Sequence, residues 1–256
     1  MCRLMGTVCA LVLVGCATAQ TSSSSDPTAI SFALKSLAAL TGGNVITDVT
    51  ATGNVIWIVG SDYETGTGTF KANTLGQSRA DLTLSGGMRS DVRTLSNGVP
   101  SGAWQMNSGT VNSYSNANCL TDAAWFFPGL SSLTQTSSTN VVFKYIGLEQ
   151  HGGVSTQHVQ IFQASKFALT QHLSTIDLYL DPVTFLPFAI SSPVHPDLDA
   201  STDISSEVRF ANYQSVSGVL VPFRVQRMLN GGVVTDITVT SVTFNTGLPN
   251  SIFSLQ

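Results

Sequence analysis

Four histidines are the side chains best suited to metal binding or proton transfer in this chain: His151, His158, His172 and His195. A zinc site needs several such groups to converge with a carboxylate, yet the sequence has neither an H-E-x-x-H motif nor an H-x-H pair. We therefore predict no metal site and no cofactor. Clustering of His158 with His172 beside a carboxylate would instead indicate an enzyme of an unrecognised type, such as a hydrolase.

Nucleophiles and calcium ligands are equally poorly supported. The sequence has no G-x-S-x-G, the motif that presents the serine of many hydrolases, so we predict no catalytic residue. Asp197, Asp199 and Asp203 lie in or beside one loop, but the glycine and the terminal glutamate of an EF-hand are missing, and we interpret them as solvated. Cys119 is the only cysteine after residue 16, which excludes a disulfide in the body of the protein.

Charged residues make up only 10% of the chain, and the formal net charge is −4. No cluster of lysine and arginine is present in the sequence, so nucleic acid is not expected as a partner. Arg89, Asp91 and Arg93 alternate along a predicted strand and therefore share one of its faces. We interpret them as a solvent-facing side, paired with Asp81 on the neighbouring strand.

The first residues have the pattern of an export signal. Arg3 supplies a positive charge, and residues 5–15 form an apolar segment that is too short to span a bilayer as a mature helix. An A-x-A pattern at 17–19 predicts a signal peptide over 1–19 and a secreted protein. The sequence L-V-G-C ending at Cys16 instead resembles a lipobox, in which Cys16 is lipidated and anchors the protein in the periplasm or at the outer membrane.

Two helical segments are predicted after a polar tether at 20–25. Asp26 and Pro27 are typical of a helix start and Gly42 of a helix end, which predicts a helix over 27–41. A second, short helix is predicted over 120–127, before a proline and a glycine interrupt the pattern.

The remaining chain has the alternation typical of β-strands. Apolar and polar residues alternate in short segments joined by glycine- or asparagine-containing turns, which predicts about eleven antiparallel strands. Asn230-Gly231-Gly232 is the strongest hairpin signal. The predicted fold class is therefore mainly β with two helical segments (α+β), built as a single domain over 26–256.

Three C-terminal segments resemble motifs of the periplasmic lipoprotein-carrier (LolA-like) superfamily. They are D-P-x-T-x-x-P at 181–187, G-x-x-x-P at 218–222 and V-x-F-N-x-x-L-P-x-x-x-F at 242–253. The segment 60–67 is similar to G-S-x-x-E-T-G-T in secreted, functionally uncharacterised relatives. The resemblance covers residues 26–256, and it implies a curved antiparallel sheet that forms an incomplete barrel covered by helices.

This resemblance also implies a function: an exported, non-enzymatic protein whose apolar cavity holds lipid acyl chains or lipoproteins. The residues expected to line the cavity are Trp57, Leu82, Leu84, Phe143, Ile146 and Ile161. Carriers of this superfamily hold their lid closed with an arginine in an early strand, and Arg79 is the nearest candidate by strand order. The predicted helices 27–41 and 120–127 would act as covers.

An alternative function is open to the same fold. A protein-interaction or sensory module of the cell envelope would have a filled interior and an exposed surface for a protein partner. In either case the only membrane contact that the sequence predicts is the N-terminal lipid anchor.

Overall fold

The computed structural model describes residues 24–96 and 98–255 of the chain. The predicted signal peptide 1–19 and the lipidation site Cys16 lie outside the described residues. Within them, the fold consists of one large antiparallel sheet, two α-helices and several short 3-10 helices. None of the described helices is long and apolar enough to cross a membrane.

Thirteen strands form the sheet in the part of the chain that is described. They are β1 (Asp48–Val59), β2 (Asp62–Asn73), β3 (Ser78–Leu84), β4 (Gly87–Ser96), β5 (Val99–Met106), β6 (Asn112–Ser113), β7 (Val141–His151), β8 (Val154–Gln163), β9 (Ile176–Leu180), β10 (Pro187–Val194), β11 (Ile204–Val216), β12 (Val219–Leu229) and β13 (Gly232–Phe244). The helices are α1 (Pro27–Thr41) and α2 (Ala168–Leu173). The predicted mainly-β fold class is confirmed. The sheet has two strands more than the eleven that were predicted, and these are β5 and β6.

The strand order across the sheet is β6-β5-β4-β3-β2-β1-β13-β12-β11-β10-β9-β8-β7. All neighbours are consecutive in the chain except β1 and β13, which pair antiparallel along nearly the whole length of β1. The sheet is not closed, and β6 and β7 form its two edges. Just before α1, the backbone N–H of Asp26 donates to the carbonyl of Phe143 at 2.8 Å, so the chain covers part of the β7 edge.

Helix α1 begins and ends where the sequence predicts. The carboxylate of Asp26 accepts from the N–H of Thr28 at 2.7 Å, and Pro27 occupies the first turn. Gly42 ends the helix in the left-handed region, with φ 58°. A Cβ at Gly42 would lie 2.6 Å from the carbonyl oxygen of Gly218, so both the backbone conformation and the close approach require glycine here.

The predicted helix over 120–127 is wrong. This part of the chain has turns between two 3-10 helices, Asn116–Cys119 and Pro128–Leu130. Trp125 and Phe126 both pack against Phe70, whereas Phe127 packs against Phe244, and no single helical face could bury all three consecutive rings. The second α-helix is instead α2, which connects β8 to β9.

The C-terminal motifs are turns held by side chains. The carboxylate of Asp181 accepts from the N–H of Val183 and from the N–H and hydroxyl of Thr184, at 2.7–3.0 Å. Asn245 adopts φ 56°, and its side-chain oxygen accepts from the N–H of Thr47 at 2.7 Å. The motif residues therefore fix strand connections, which explains why they indicate a fold.

Two apolar clusters occupy the same side of the sheet. The first joins β1–β3 and β11–β13 to the segment around Phe126 and Phe127. The second lies under α1 and contains residues of β7, β8 and β9. We call the side that carries both clusters the concave face.

Candidate functional site

A cavity of about 500 Å³ lies on the concave face. Strands β1–β4 line one side and β9–β13 the other, although β4 and β9 are far apart in the strand order. The sheet must therefore curl around the cavity. The segment 118–126 lies over it and contributes Trp125 and Phe126. The volume of the cavity falls in the range of about 300–1,000 Å³ that is typical of small-molecule sites.

One wall is a row of side chains that continues across five strands. The pairing places Trp57 of β1 beside Thr235, Thr235 beside Arg227, Arg227 beside Val208, and Val208 beside Ile190 of β10. Residues that are paired directly in this way share a face, and all five line the cavity. The wall is apolar except for the hydroxyl of Thr235 and the guanidinium of Arg227.

Packed aromatic rings also border the cavity. The Phe70 ring lies 5.9 Å from Trp125 in an edge-to-face arrangement and 5.5 Å from Phe126, measured between centroids. Gly68 makes this packing possible, because a Cβ there would lie 2.7 Å from the Phe70 ring and 2.9 Å from Val55. The glycine-rich sequence of β2 is thus explained by the space that its neighbours occupy.

The interpretation of Arg89, Asp91 and Arg93 as a solvent-facing side is wrong, because these residues line the cavity. The register pairs Arg89 with Leu82 and Asp91 with Ala80, which places them on the concave face. Asp81 points to the opposite face, where its carboxylate accepts from the hydroxyl of Ser90 at 2.6 Å.

The charged groups of β4 hold one another in place. The hydroxyl of Tyr114 donates to Asp91 at 2.5 Å, and Arg89 Nη2 lies 3.2 Å from the same carboxylate. Burial and the neighbouring Asp91 charge raise the pKa of Tyr114 far above its ordinary value. Arg93 donates to the carbonyl of Asn118, and its guanidinium lies 4.6 Å from the Tyr114 ring centroid.

Arg227 differs from the other two cavity arginines. Its guanidinium lies 5.5 Å from the Trp125 ring centroid, but it has no hydrogen-bond acceptor or carboxylate partner among the residues that the structure describes. Burial is the main reason that its pKa is lowered, and the charges of Arg93 and Arg89 lower it further, while Asp91 raises it. The three guanidinium groups therefore act on one another within one cavity.

Asp122 is a second carboxylate at the cavity. Its Oδ1 accepts from the N–H of Ser132 at 3.0 Å and from the hydroxyl of Ser132 at 2.6 Å. Burial nevertheless raises the pKa of Asp122 to about 6, because the two hydrogen bonds only partly offset the loss of solvent.

The structure separates the six residues that were predicted to line a cavity. Trp57 and Leu82 line it, and Leu84 is buried in the first apolar cluster nearby. Phe143 and Ile161 belong instead to the second cluster, under α1. The expectation for Ile146 is corrected: its side chain is 50% exposed, because the register of β7 against β8 shifts between Tyr145 and Gly147 and leaves it unpaired.

Arg79 holds a C-terminal segment rather than a helical cover. Its Nη1 donates to the carbonyls of Ile252 and Ser254 at 2.9 and 3.0 Å, and its Nε donates to Asp81. The 3-10 helix Asn250–Phe253 packs on β3 and β4 in this way, on the face that carries Asp81. This arginine thus fastens the chain end to the outer side of the sheet.

The histidines form two separate groups, so the predicted indicator of an enzyme, His158 beside His172, does not occur. His158 Nε2 lies 2.8 Å from Asp177, and its Nδ1 lies 3.2 Å from Glu149. Burial lowers the pKa of His158, but the two carboxylates outweigh it and the net shift is upward.

His172, His195 and Asp203 form the other group, with ligand atoms within 4.8 Å of one another. His172 Nε2 lies 2.9 Å and His195 Nδ1 3.4 Å from Asp203 Oδ1. Imidazole and carboxylate are ligands of zinc, so this group could hold a divalent metal ion. Sequence reasoning predicted no metal site, because His172 is in α2, His195 follows β10 and Asp203 precedes β11, and only the fold brings them together.

Solved structures share this architecture at low sequence identity. A domain named for outer membrane lipoprotein sorting, from Vibrio parahaemolyticus, is 14% identical, with a TM-score of 0.58 over 88% of this chain and 96% of that chain. A DUF1329 family protein from Desulfovibrio piger is 10% identical, with a TM-score of 0.56 over 89% of this chain and 96% of that chain. A LolA superfamily protein from Nitrosomonas europaea is 11% identical, with a TM-score of 0.53 over 89% and 97%.

No family model matches the sequence, and no curated protein is significantly similar to it. At such low identities the structural similarity establishes the fold alone. The LolA-like fold that the sequence motifs predicted is therefore confirmed.

Proposed function

We propose that this chain is an exported, non-enzymatic binding protein that takes up the acyl chain of a lipid or lipoprotein in the concave-face cavity. The observation that carries the proposal is the cavity itself, of about 500 Å³, which is bordered by apolar strand residues and by aromatic rings. Each methylene group transferred into such a site contributes about 0.8 kcal/mol of binding free energy.

The covering segment gives this site a means of entry. Residues 120–127 lack regular helical hydrogen bonds, and the segment over the cavity is held by its aromatic contacts and by the hydrogen bonds from Ser132 to Asp122. Local opening is least costly where few backbone hydrogen bonds must break. Trp125 and Phe126 would move away from Phe70 to admit a chain.

The periplasm or the outer membrane is the location that we propose, with Cys16 as a lipid anchor if the lipobox is used. The names of the structural neighbours in lipoprotein sorting agree with this assignment. The alternative, a protein-interaction or sensory module, predicts a filled interior and is less well supported by a cavity of this size.

The first test is to identify lipids that remain bound. The chain from residue 20 onward, exported and purified without detergent, is extracted and analysed by mass spectrometry. Acyl lipid at a stoichiometric ratio to protein would support the proposal. A protein free of lipid that also binds no added acyl chain would exclude it and favour the interaction module.

A matched pair of variants locates the site. Ala80→Phe places a ring in the cavity, whereas Thr83→Phe places the same ring on an exposed position of the same strand. We expect Ala80→Phe to reduce the bound lipid by about tenfold or more, because the ring fills the volume that the acyl chain would occupy. The second should leave the bound lipid unchanged, and an equal loss in both variants would argue against the cavity as the site.

A further inference from the structure

The cavity combines apolar walls with an excess of positive charge. Arg89, Arg93 and Arg227 face it, while the carboxylates are Asp91 and Asp122. Arg79 also borders the cavity, but its guanidinium is held by Asp81 and by the carbonyls of Ile252 and Ser254. Asp91 is engaged by both Arg89 and Tyr114, and Asp122 by Ser132. Neither carboxylate pairs with Arg227, whose side chain is half-buried.

Arg227 is the group that this arrangement leaves without a partner. It projects from the middle of the apolar row, between Thr235 and Val208, with the Trp125 ring 5.5 Å away. A guanidinium carries donors in a planar fork that matches a carboxylate or a phosphate. Its hydrogen-bonding capacity is therefore available to a ligand inside the cavity.

The volume limits what that ligand can be. A methylene group is about as large as a water molecule, which occupies roughly 30 Å³ in the liquid. A cavity of about 500 Å³ therefore suits a single acyl chain with a compact headgroup. The apolar row and the aromatic rings would contact the acyl chain, and Arg227 would contact the headgroup.

We infer that the cavity binds a single-chain amphiphile with an anionic carboxylate or phosphate headgroup, and that Arg227 is the main recognition residue for that headgroup. This inference rests on the proposed function and deepens it by assigning the class of ligand. Arg89 and Arg93 add positive charge, but Arg89 is held by Asp91 and Arg93 donates to the carbonyl of Asn118.

The test compares ligands that share one chain and differ in the headgroup. Delipidated protein is titrated calorimetrically with dodecanoate, dodecyl phosphate and dodecanol, and with inorganic phosphate alone. We expect the two anionic amphiphiles to bind at least about tenfold more tightly than dodecanol, which is the difference that one charged hydrogen-bonded contact typically makes. Inorganic phosphate should bind much more weakly than dodecyl phosphate, because it lacks the chain.

Variants of β12 then assign the headgroup contact. Arg227→Gln should abolish the preference for dodecanoate over dodecanol and leave dodecanol affinity unchanged. The matched control is Arg224→Gln on the same strand, whose guanidinium lies on the other face in an ion pair with Asp236 at 2.7 Å. That variant should behave as the wild type, and Arg227→Lys should retain part of the preference because it keeps the charge.

Each outcome decides a different point. Equal affinity of wild-type protein for dodecanoate and dodecanol would overturn the headgroup inference while leaving acyl-chain binding intact. Inorganic phosphate binding as tightly as dodecyl phosphate would show a free-anion site and would also overturn it. If none of the three chain compounds binds, the proposed function fails as well. If Arg227→Gln does not fold, the wild-type headgroup preference and its weakening by added salt still decide the question.

Discussion

The two apolar clusters of the concave face differ in how they are covered. Under α1, the small residues Ala29 and Ala33 are fully buried against β7–β9, so a regular helix lies flat on the sheet. Over the other cluster, an irregular segment contributes Trp125 and Phe126, and it borders the cavity of about 500 Å³. The comparison shows that the concave face is tightly packed under the regular helix and has a cavity under the irregular segment.

The strongest test of this comparison replaces one leucine in each region. Leu178 of β9 is 1% exposed in the α1-covered cluster, whereas Leu82 of β3 borders the cavity. We expect Leu178→Ala to lower the free energy of unfolding by about 3–4 kcal/mol, because it leaves a new void in a filled region. Leu82→Ala should lower the free energy of unfolding by only about 1–2 kcal/mol. The side of Leu82 that faces the cavity has fewer contacts to lose.

Chemical denaturation with urea measures both values, and an unchanged slope would show that the denatured state is not altered. Equal losses for the two substitutions would mean that the cavity region is as tightly filled as the region under α1. The lipid content of each preparation must match, because a bound lipid would itself stabilise the Leu82 region.

The sequence predicted the elements better than it predicted the site. The bounds of α1 and the β12–β13 hairpin were both correct, because capping residues and Asn230-Gly231-Gly232 act locally. The alternation around Arg89 showed that β4 has two faces, but not which one is enclosed. Both faces are covered in the fold, since Val92 is buried on the side where the C-terminal 3-10 helix packs. That covering comes from residues far away in the chain.

The covering segment was mispredicted for a related reason. Residues 120–127 combine good helix formers with aromatic side chains, and local propensity favours a helix. In the structure, Trp125 and Phe126 instead pack against Phe70, and Phe127 packs against Phe244. These contacts are incompatible with one helical face. Tertiary contacts of this kind are invisible to a periodicity argument.

A second prediction concerns a substitution at the end of α1, the regular cover. Gly42→Ala introduces a Cβ 2.6 Å from the Gly218 carbonyl oxygen at a residue with φ 58°, so we expect a loss of about 2–3 kcal/mol in unfolding free energy. Hydrogen exchange should show the last turn of α1 opening more often. Gly43→Ala is the matched control, since a Cβ there meets nothing within 4 Å and only the positive φ of 84° is strained. If Gly42→Ala and Gly43→Ala lower the free energy of unfolding equally, the close approach to Gly218 does not contribute to the loss.

The smallest predicted effect concerns the irregular cover and depends on pH. The pKa of Asp122 is raised from 3.8 to about 6, so the native state binds its proton more tightly than the unfolded chain does. Stability should therefore fall as the pH rises from about 4 to about 6, and stay lowered above that. Asp122→Asn keeps an oxygen that can accept from Ser132, and we expect it to be more stable than the wild type at pH 7 by on the order of 1–2 kcal/mol.

The two proteins should be equally stable at about pH 2.5, well below the ordinary pKa of 3.8, because the carboxyl group is then neutral in both states. Asp199→Asn is the control of opposite sign, because hydrogen bonds from Ser201 and Thr202 lower the pKa of that exposed carboxylate to about 2. Its wild-type contribution is present above the ordinary pKa of 3.8 and is lost as the pH falls towards 2. The measurement is the thermal unfolding temperature of both proteins as a function of pH. If Asp122→Asn shows the same pH profile as the wild type, Asp122 is not the cause of the pH-dependent loss of stability.

The pairing of β1 with β13 imposes an order on the assembly of the chain. Register contacts such as Val49 with Phe244 join residues at opposite ends of the domain, so β1 remains an open edge until the last strand exists. Contacts of such large sequence separation form late and slow the folding of a domain. The hairpins from β1 to β6 and from β7 to β13 can form independently, but the curled enclosure between them appears only when the final strand docks.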